Sequence, residues 1–179
     1  MLTVEELNNH IRNIPDFPIE GVVFKDITTL LTHPGALHDT VKHLEKACEE
    51  FEFDAIAAIE SRGFIFGSVM AAIKGLPLVL IRKPGKLPGH TISEDYSLEY
   101  GTNTVEMHKN SLPAGSRVLI VDDLIATGGS AMAAVSLLRQ DACTVAGAAF
   151  VVDLTFLGGE SRLKENGIPY VKLIEVDSE

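Results

Sequence analysis

The sequence is short of the residues that build disulfide and metal sites. Its 179 residues include no tryptophan and only two cysteines, Cys48 and Cys143. The two cysteines match no metal-ligand spacing, and the six histidines form no His-Glu-x-x-His pattern. We therefore expect no protein-ligated metal, and we interpret both thiols as inert core groups in a reducing cytoplasm.

Positive charge and long apolar runs are also scarce. Lys and Arg number 15 against 25 Asp and Glu, which gives a net charge of −10, whereas nucleic-acid binders normally present a basic face. No apolar run approaches the roughly twenty residues that span a bilayer, and the N-terminal segment lacks the pattern of a signal peptide. We expect a cytoplasmic protein with neither a nucleic-acid nor a membrane partner, whose anion sites are local.

Two common nucleotide-binding motifs are missing. The P-loop pattern needs Gly-Lys followed by Ser or Thr, and the sequence contains no such triplet. No Gly-x-Gly-x-x-Gly motif follows a predicted strand either. Any phosphate site in this chain must therefore be built from a different loop.

Apolar runs and helical stripes alternate along the chain. Leu37, Val41, Leu44 and Cys48 recur at steps of four, three and four residues, which predicts an amphipathic helix. The other predicted elements are a short helix opened by Thr3 and Glu6, strands at 55–59, 78–81, 118–121, 144–152 and 170–174, and helices at 64–74, 129–140 and just before Gly167. This order predicts an α/β fold in one domain, 1–179, with a mostly parallel sheet flanked by helices.

The most informative stretch is 118–130, in which a predicted buried strand leads into two carboxylates and a small-residue loop. Such loops lie at the carboxyl edge of an α/β sheet, where a following helix offers unpaired N–H groups to an anion. The predicted phosphate cradle comprises Ala126, Thr127, Gly128, Gly129 and Ser130. Asp122 and Asp123 would repel a phosphate, so we expect them to face vicinal hydroxyls or a hydrated Mg²⁺. A ribose 5-phosphate supplies both needs, although Thr-Gly-Gly-Ser alone is usually only a turn.

Two further clusters are candidate anion sites. Ser61, Arg62 and Gly63 follow the strand at 55–59 and place an arginine where it can grip an oxyanion, although such a turn is more often structural. Arg82, Lys83 and Lys86 concentrate positive charge at the start of 83–100, a stretch that we predict to be a long irregular connection. A solvated basic turn is the alternative interpretation of this cluster.

The stretch 118–130 resembles the phosphoribosyl pyrophosphate signature of the type I phosphoribosyltransferases. The resemblance covers nearly the whole chain, through 15–18, 21–26, 61–64, 81–89 and 97–101. It implies a type I phosphoribosyltransferase-like fold, a twisted sheet flanked by helices. It also implies a small base-binding hood, from about 1–33 and the C-terminal part, and a flexible catalytic loop at about 83–100.

The resemblance also implies a role for each matching residue. Val23, Phe24 and Lys25 would form a lid over adenine, with Leu154 on the other side; Lys25 stands where many relatives have arginine. The peptide bond between Glu60 and Ser61 would be cis. Glu99 would assist proton movement at the base. The implied phosphoribosyl pyrophosphate contacts are Ser61, Arg62, Gly63, Arg82, Lys83, Lys86, Tyr100, Asp122, Asp123 and the loop Ala126, Thr127, Gly128, Gly129 and Ser130.

In the branch that the lid matches, the implied reaction joins adenine to phosphoribosyl pyrophosphate and gives AMP and pyrophosphate, a step of purine salvage. Mg²⁺ would arrive with the pyrophosphate, and the protein would be a homodimer. One alternative is transfer to another purine base. The other is a noncatalytic regulator that keeps the site as a sensor of phosphoribosyl pyrophosphate.

Overall fold

The computed structural model describes residues 1–97 and 101–178, which form six α-helices and nine strands. In chain order these are α1 (Val4–Asn9), β1 (Arg12–Ile14), β2 (Phe24–Asp26), α2 (Thr28–Thr32), α3 (Ala36–Ala47), β3 (Ala55–Ile59), α4 (Gly63–Lys74), β4 (Leu78–Ile81), β5 (Thr91–Ser97), β6 (Thr102–His108), β7 (Arg117–Ile125), α5 (Gly129–Gln140), β8 (Thr144–Leu154), α6 (Gly159–Glu165) and β9 (Tyr170–Val176).

Five parallel strands form the central sheet, in the spatial order β4-β3-β7-β8-β9. All five residues of β3 are buried, as expected of a parallel strand that is covered on both faces. Its neighbours hold it in register, with Ala57 opposite Val79 of β4 and Ile120 of β7. This arrangement brings the carboxyl ends of β3 and β7 side by side.

Alternate residues of the sheet face two separate hydrophobic cores, because successive strand residues point to opposite faces. Ala57 and Ile120 belong to the core that contains residues of α5, α6 and β6. Ile56 and Leu119 belong to the core that contains residues of α1, α2, α3 and α4. The predicted α/β fold, with helices on both faces of a parallel sheet, is confirmed.

Two short antiparallel ladders flank the sheet. β1 pairs with β2, and β5 pairs with β6 from Thr91 opposite His108 to Ser97 opposite Thr102. The prediction of an irregular connection across 83–100 was therefore wrong for Thr91–Ser97. Only Ile92 and Tyr96 of this strand pack against the core, and most of its other side chains are polar. Its sequence therefore lacks the apolar alternation of a typical strand and is similar to that of a loop.

Several element bounds also differ from the sequence prediction. β7 continues through Asp122 and Asp123 to Ile125, because β8 goes on pairing with it as far as Ile125 opposite Asp153. The short elements β1 and α2 were not predicted. No helix in the two described ranges is both long and apolar enough to cross a membrane. Cys48 is buried, and burial raises the pKa of its thiol to about 12, which fits an inert core group.

Candidate active site

The turn after β3 lies directly against the end of β7. Gly63 begins α4, and a Cβ atom built on it would lie 2.8 Å from Oδ1 of Asp122 and 2.8 Å from the carbonyl oxygen of Val121. Only glycine allows the two segments to approach this closely. The peptide bond between Glu60 and Ser61 is cis, as the resemblance implied. Ser61 is exposed on this turn.

Asp122 and Asp123 form a buried carboxylate pair. Oδ1 of Asp122 accepts a hydrogen bond of 2.8 Å from the N–H of Asp123. Burial, and then the neighbouring Asp123 carboxylate, raise the pKa of Asp122 well above its ordinary value. Burial also raises the pKa of Asp123, against the opposing effect of Arg62, whose Nε lies 2.9 Å from Oδ2. Within the described residues, Oδ2 of Asp123 contacts the cation of Arg62 but forms no hydrogen bond of regular geometry, so a lone pair remains for a ligand hydroxyl.

Arg62 connects this carboxylate pair to the β2 strand. Its Nη1 donates a hydrogen bond of 3.3 Å to the carbonyl oxygen of Lys25, and its guanidinium carbon lies 5.0 Å from the ring centroid of Phe24. Phe17 packs edge-on against the same ring, at 5.1 Å between centroids. Arg62 was predicted as an oxyanion ligand, and the structure also makes it the link between Asp123 and the predicted base lid.

The predicted lid is held firmly by its neighbours. Nζ of Lys25 donates a hydrogen bond of 2.9 Å to Oδ1 of Asn13 on β1. The next residue, Asp26, accepts bonds from the N–H and hydroxyl of Thr28, both at 2.9 Å, and from Arg12. These hydrogen bonds lower the pKa of Asp26 to about 2, and the two from Thr28 have the largest effect. Val23 directly precedes this lid strand, and Leu154 ends β8 at the carboxyl edge of the main sheet.

The predicted phosphate cradle lies between β7 and the N-terminus of α5, as expected. The cavity at this point has a volume of about 180 Å³, and its lining includes the whole predicted loop from Ala126 to Ser130. Tyr96 and Phe150 lie on its sides. A Cβ atom on Gly129 would lie 2.9 Å from Cδ2 of Tyr96 and 3.3 Å from the carbonyl oxygen of Ser97. The end of β5 therefore rests on the cradle, a contact that the sequence analysis did not predict.

Helix α6 supports the cradle from another side. The N–H of Gly159 donates a hydrogen bond of 3.0 Å to the carbonyl oxygen of Ala126. The side chain of Arg162 lies across the loop: its Cδ and Nη1 are 3.6 and 3.7 Å from the Cβ positions of Gly128 and Gly129, respectively. The sequence analysis did not select Arg162, because nothing in the sequence brings α6 and this distant loop together.

The predicted basic cluster separates into two parts. Arg82 donates to both carboxylate oxygens of Glu60, with Nε at 3.0 Å and Nη2 at 3.3 Å, and the N–H of Lys83 donates to Glu60 at 3.0 Å. Burial would raise the pKa of Glu60, but the hydrogen bonds from Arg82 and Lys83 outweigh it and lower that pKa. Lys83 and Lys86 are exposed, and neither forms an ion pair within the described part of the chain.

Two predicted site residues, Glu99 and Tyr100, lie outside the described residues. Within 1–97 and 101–178, no group of three or more histidine, cysteine, aspartate or glutamate side chains is placed to hold a metal ion.

Comparison with known proteins decides the family. Residues 26–176 match the family model of the phosphoribosyl transferase domain. An adenine phosphoribosyltransferase from Erythrobacter litoralis is 52% identical over 98% of this chain and 99% of its own length. This chain belongs to the adenine phosphoribosyltransferase family.

Solved structures of adenine phosphoribosyltransferases share the fold. The crystal structure from Thermoanaerobacter pseudethanolicus has a TM-score of 0.94 and 45% identity, covering 97% of this chain and 100% of that one. The structure from Saccharomyces cerevisiae, complexed with an iminoaltritol bisphosphate and adenine, has a TM-score of 0.87 and 41% identity over 95% and 97% of the two chains. The resemblance to type I phosphoribosyltransferases and the predicted enzyme class are confirmed.

Proposed function

We propose that this protein transfers the 5-phosphoribosyl group from phosphoribosyl pyrophosphate to adenine, giving AMP and pyrophosphate. The observation that carries the proposal is the buried Asp122–Asp123 pair, packed against Gly63 and followed by the phosphate cradle at the start of α5. Full-length similarity to adenine phosphoribosyltransferases supports the same reaction.

The sugar and its 5-phosphate occupy the centre of this site. Asp122 and Asp123 accept hydrogen bonds from the ribose hydroxyls, for which Oδ2 of Asp123 has a lone pair available beside its ion pair with Arg62. The backbone N–H groups of the cradle, Ala126 to Ser130, and the positive end of α5 hold the 5-phosphate. The cavity of about 180 Å³ supports this assignment.

The pyrophosphate lies at the turn after β3. Ser61, Gly63 and Arg62 are its nearest ligands, and the exposed Lys83 and Lys86 reach it from the basic segment. Arg82 acts with them, with its guanidinium held in place by Glu60. Tyr100 completes the set by family resemblance.

The base binds at the β2 lid. Phe24 stacks on adenine, the main chain of Val23 and Lys25 reads its polar edge, and Leu154 closes the opposite side. The bonds of Asp26 with Thr28 and Arg12 support main-chain recognition, because they fix the strand without the side chain of Lys25. The Saccharomyces cerevisiae relative, described as a complex with adenine, gives a precedent for the substrate.

In the reaction, the bond from ribose C1 to the pyrophosphate oxygen breaks, a bond from C1 to an imidazole nitrogen of adenine forms, and that nitrogen loses its proton. Glu99 assists this proton transfer. Closure of the segment 83–100 excludes water, which would otherwise intercept the oxocarbenium-like state at C1.

The residues present fit a Mg²⁺ ion that arrives with phosphoribosyl pyrophosphate. Asp122 and Asp123 are two carboxylates, and Mg²⁺ commonly uses one or two carboxylates together with waters and substrate phosphates. When bound, Mg²⁺ neutralises charge on the departing pyrophosphate. Asp122 and Asp123 would face the ion through its coordinated waters, so it would not be a protein-ligated metal and the ribose hydroxyls would keep their acceptors.

We further propose a homodimer that works in purine salvage in the cytoplasm, as one domain of 1–179 with a base-binding hood formed by about 1–33 and C-terminal residues. The hydrophobic side chains of Ile73 and Leu80 are 41% and 36% exposed, on α4 and on the edge strand β4, and offer apolar surface for a second copy. Both cysteines are free thiols, which fits a reducing compartment.

A coupled assay tests the reaction and the base together. We expect AMP from phosphoribosyl pyrophosphate, Mg²⁺ and adenine, with kcat/KM at least about 100-fold higher for adenine than for hypoxanthine, because hypoxanthine reverses the donor and acceptor at two edge positions. Comparable turnover of both bases would contradict adenine specificity.

The Lys25→Ala variant serves as a control, because main-chain recognition predicts that it keeps this preference. A regulator without catalysis would give no nucleotide with any base.

A further inference from the structure

We propose that Arg162 is an additional ligand of the substrate 5-phosphate and supplies the cation that the phosphate cradle itself lacks. The inference deepens the proposed function, on which it rests, by adding a residue from α6 to the same phosphate site. Arg162 lies far from the cradle in sequence and comes to it only through the fold.

The geometry places the guanidinium of Arg162 beside the first residues of α5. Its Cδ lies 3.6 Å from the Cβ position of Gly128, and its Nη1 lies 3.7 Å from that of Gly129. At these distances a Cβ atom would be in ordinary van der Waals contact with the arginine, so the side chain lies directly along the loop. Arg162 is half-buried there, at the end of the larger groove between β5 and α5.

The charge balance around the cradle calls for such a residue. A phosphate dianion bound there lies close to Asp122 and Asp123, in a protein with a net charge of −10. The neighbouring cations Lys164 and Lys172 are both paired with Glu160, whereas Arg162 forms no ion pair with a carboxylate of the described residues. Its guanidinium is thus available for a charge-assisted bond to phosphate.

Helix α6 holds Arg162 in position without using its guanidinium. At its start, Gly159 is hydrogen-bonded to Ala126 of the cradle at 3.0 Å. One residue further, Glu160 is bound by Nζ of Lys172 at 2.7 Å, which ties α6 to β9. The side-chain amide of Asn166 donates to the carbonyl oxygen of Arg162 at 2.8 Å. The backbone of Arg162 is therefore fixed relative to the loop before any ligand binds.

The test compares ligands of the same site that have or lack a 5-phosphate. In the full-length enzyme, Arg162→Gln should raise the inhibition constants of AMP and ribose 5-phosphate against phosphoribosyl pyrophosphate by about 10- to 100-fold. The inhibition constant of inorganic pyrophosphate should stay within about twofold, because pyrophosphate binds at the turn after β3 and not at the cradle. Arg162→Lys keeps the charge and should recover most of the affinity.

A matched control separates local charge from general charge. Arg139 lines the same groove at the far end of α5 and is exposed, so Arg139→Gln removes one positive charge without touching the cradle. We expect it to leave all three inhibition constants unchanged. Equal effects of Arg139→Gln and Arg162→Gln would overturn the proposal, since they would show a long-range field instead of a contact.

Two other results would also overturn it. Unchanged AMP and ribose 5-phosphate inhibition in Arg162→Gln would remove Arg162 from the site. A parallel loss for pyrophosphate, or failure of Arg162→Lys to restore affinity, would assign Arg162 to the scaffold instead. In each of these cases the wild-type enzyme still converts adenine to AMP. Absence of that wild-type activity would contradict the proposed function itself.

Discussion

Asp122 and Asp123 determine how the enzyme holds its sugar. We expect the double variant Asp122→Asn and Asp123→Asn to fold but to lose at least about 30-fold in kcat/KM for phosphoribosyl pyrophosphate. Each change removes a charged acceptor whose hydrogen bond contributes about 1.5–3 kcal/mol. Steady-state kinetics with phosphoribosyl pyrophosphate varied at saturating adenine measures the loss.

Asp141→Asn is the matched control for this variant. Asp141 is also buried, and its Oδ1 accepts a bond of 2.8 Å from the N–H of Asn110, away from the site. We expect this control to keep its kcat/KM even if its stability falls. Near wild-type kinetics in the double variant would exclude the carboxylate pair from substrate binding.

The same pair should cost the enzyme stability. The pKa of Asp122 is raised in the folded state. Relative to the unfolded chain, the protonated carboxyl therefore contributes to the stability of the fold at pH values below the ordinary pKa of 3.8, and this contribution is lost as the pH rises through the raised pKa. Asp122→Asn should therefore increase the free energy of unfolding at pH 8 by on the order of 1 kcal/mol, which raises Tm by about 2–4 °C.

This gain in stability should shrink as the pH falls towards about 4, because the wild-type carboxyl is then protonated and as neutral as the asparagine that replaces it. Thermal unfolding of both proteins across this pH range measures it. A variant that is less stable than the wild type at pH 8 would show that the ionised carboxylate is compensated in the fold.

At the scale of elements, the contact between β5 and α5 at Gly129 carries its own prediction. A methyl group on Gly129 would lie 2.9 Å from Tyr96 and 3.3 Å from the carbonyl oxygen of Ser97, so one of the two segments must shift. We expect Gly129→Ala to raise KM for phosphoribosyl pyrophosphate on the order of tenfold, because a small displacement of a binding group is costly.

Ser136→Ala, on the same helix and in the same groove, should leave KM unchanged. An unchanged KM in Gly129→Ala would mean that the cradle tolerates the displacement of β5.

The elements differ in how far the sequence predicts them. The bounds of β3, β4 and α5 match the prediction. The two strands are continuous apolar runs and the helix is a helical pattern that begins at Gly129, and such patterns are local in the sequence. Strand β5 was missed because its pairing with β6 needs few apolar residues. Asp122 and Asp123 could be selected from their place after an apolar run.

Other features of the site depend on the tertiary fold. The order strand, helix, strand over 55–81 is typical of neighbouring parallel strands, but the pairing of Arg82 with Glu60 depends on the register of β3 and β4, which the sequence does not give. The position of Arg162 over the cradle depends on the return of α6 to the end of β7. These contacts join residues that are far apart in the chain, so no local pattern predicts them.

For the whole molecule, the clearest prediction concerns metal removal. Turnover should stop when EDTA removes Mg²⁺ and resume when MgCl₂ is added in excess, because the ion arrives with phosphoribosyl pyrophosphate. Tm of the ligand-free protein should not change with EDTA, since a folded core without a structural metal loses nothing on chelation. A fall of Tm on chelation would show that the protein holds a structural metal of its own.

The hydrogen bond from Gly159 to Ala126 has a consequence for biosynthesis. The ribosome releases β7 and the cradle well before α6 and β9, which complete the support of that loop. A nascent chain that has folded only the part of the sheet from β3 to β7 therefore still lacks the hydrogen bond from Gly159 that supports the phosphate loop. Substrate binding should appear only in the last stage of translation, so ligands that bind at the cradle could protect the finished enzyme from proteases but not its unfinished precursors.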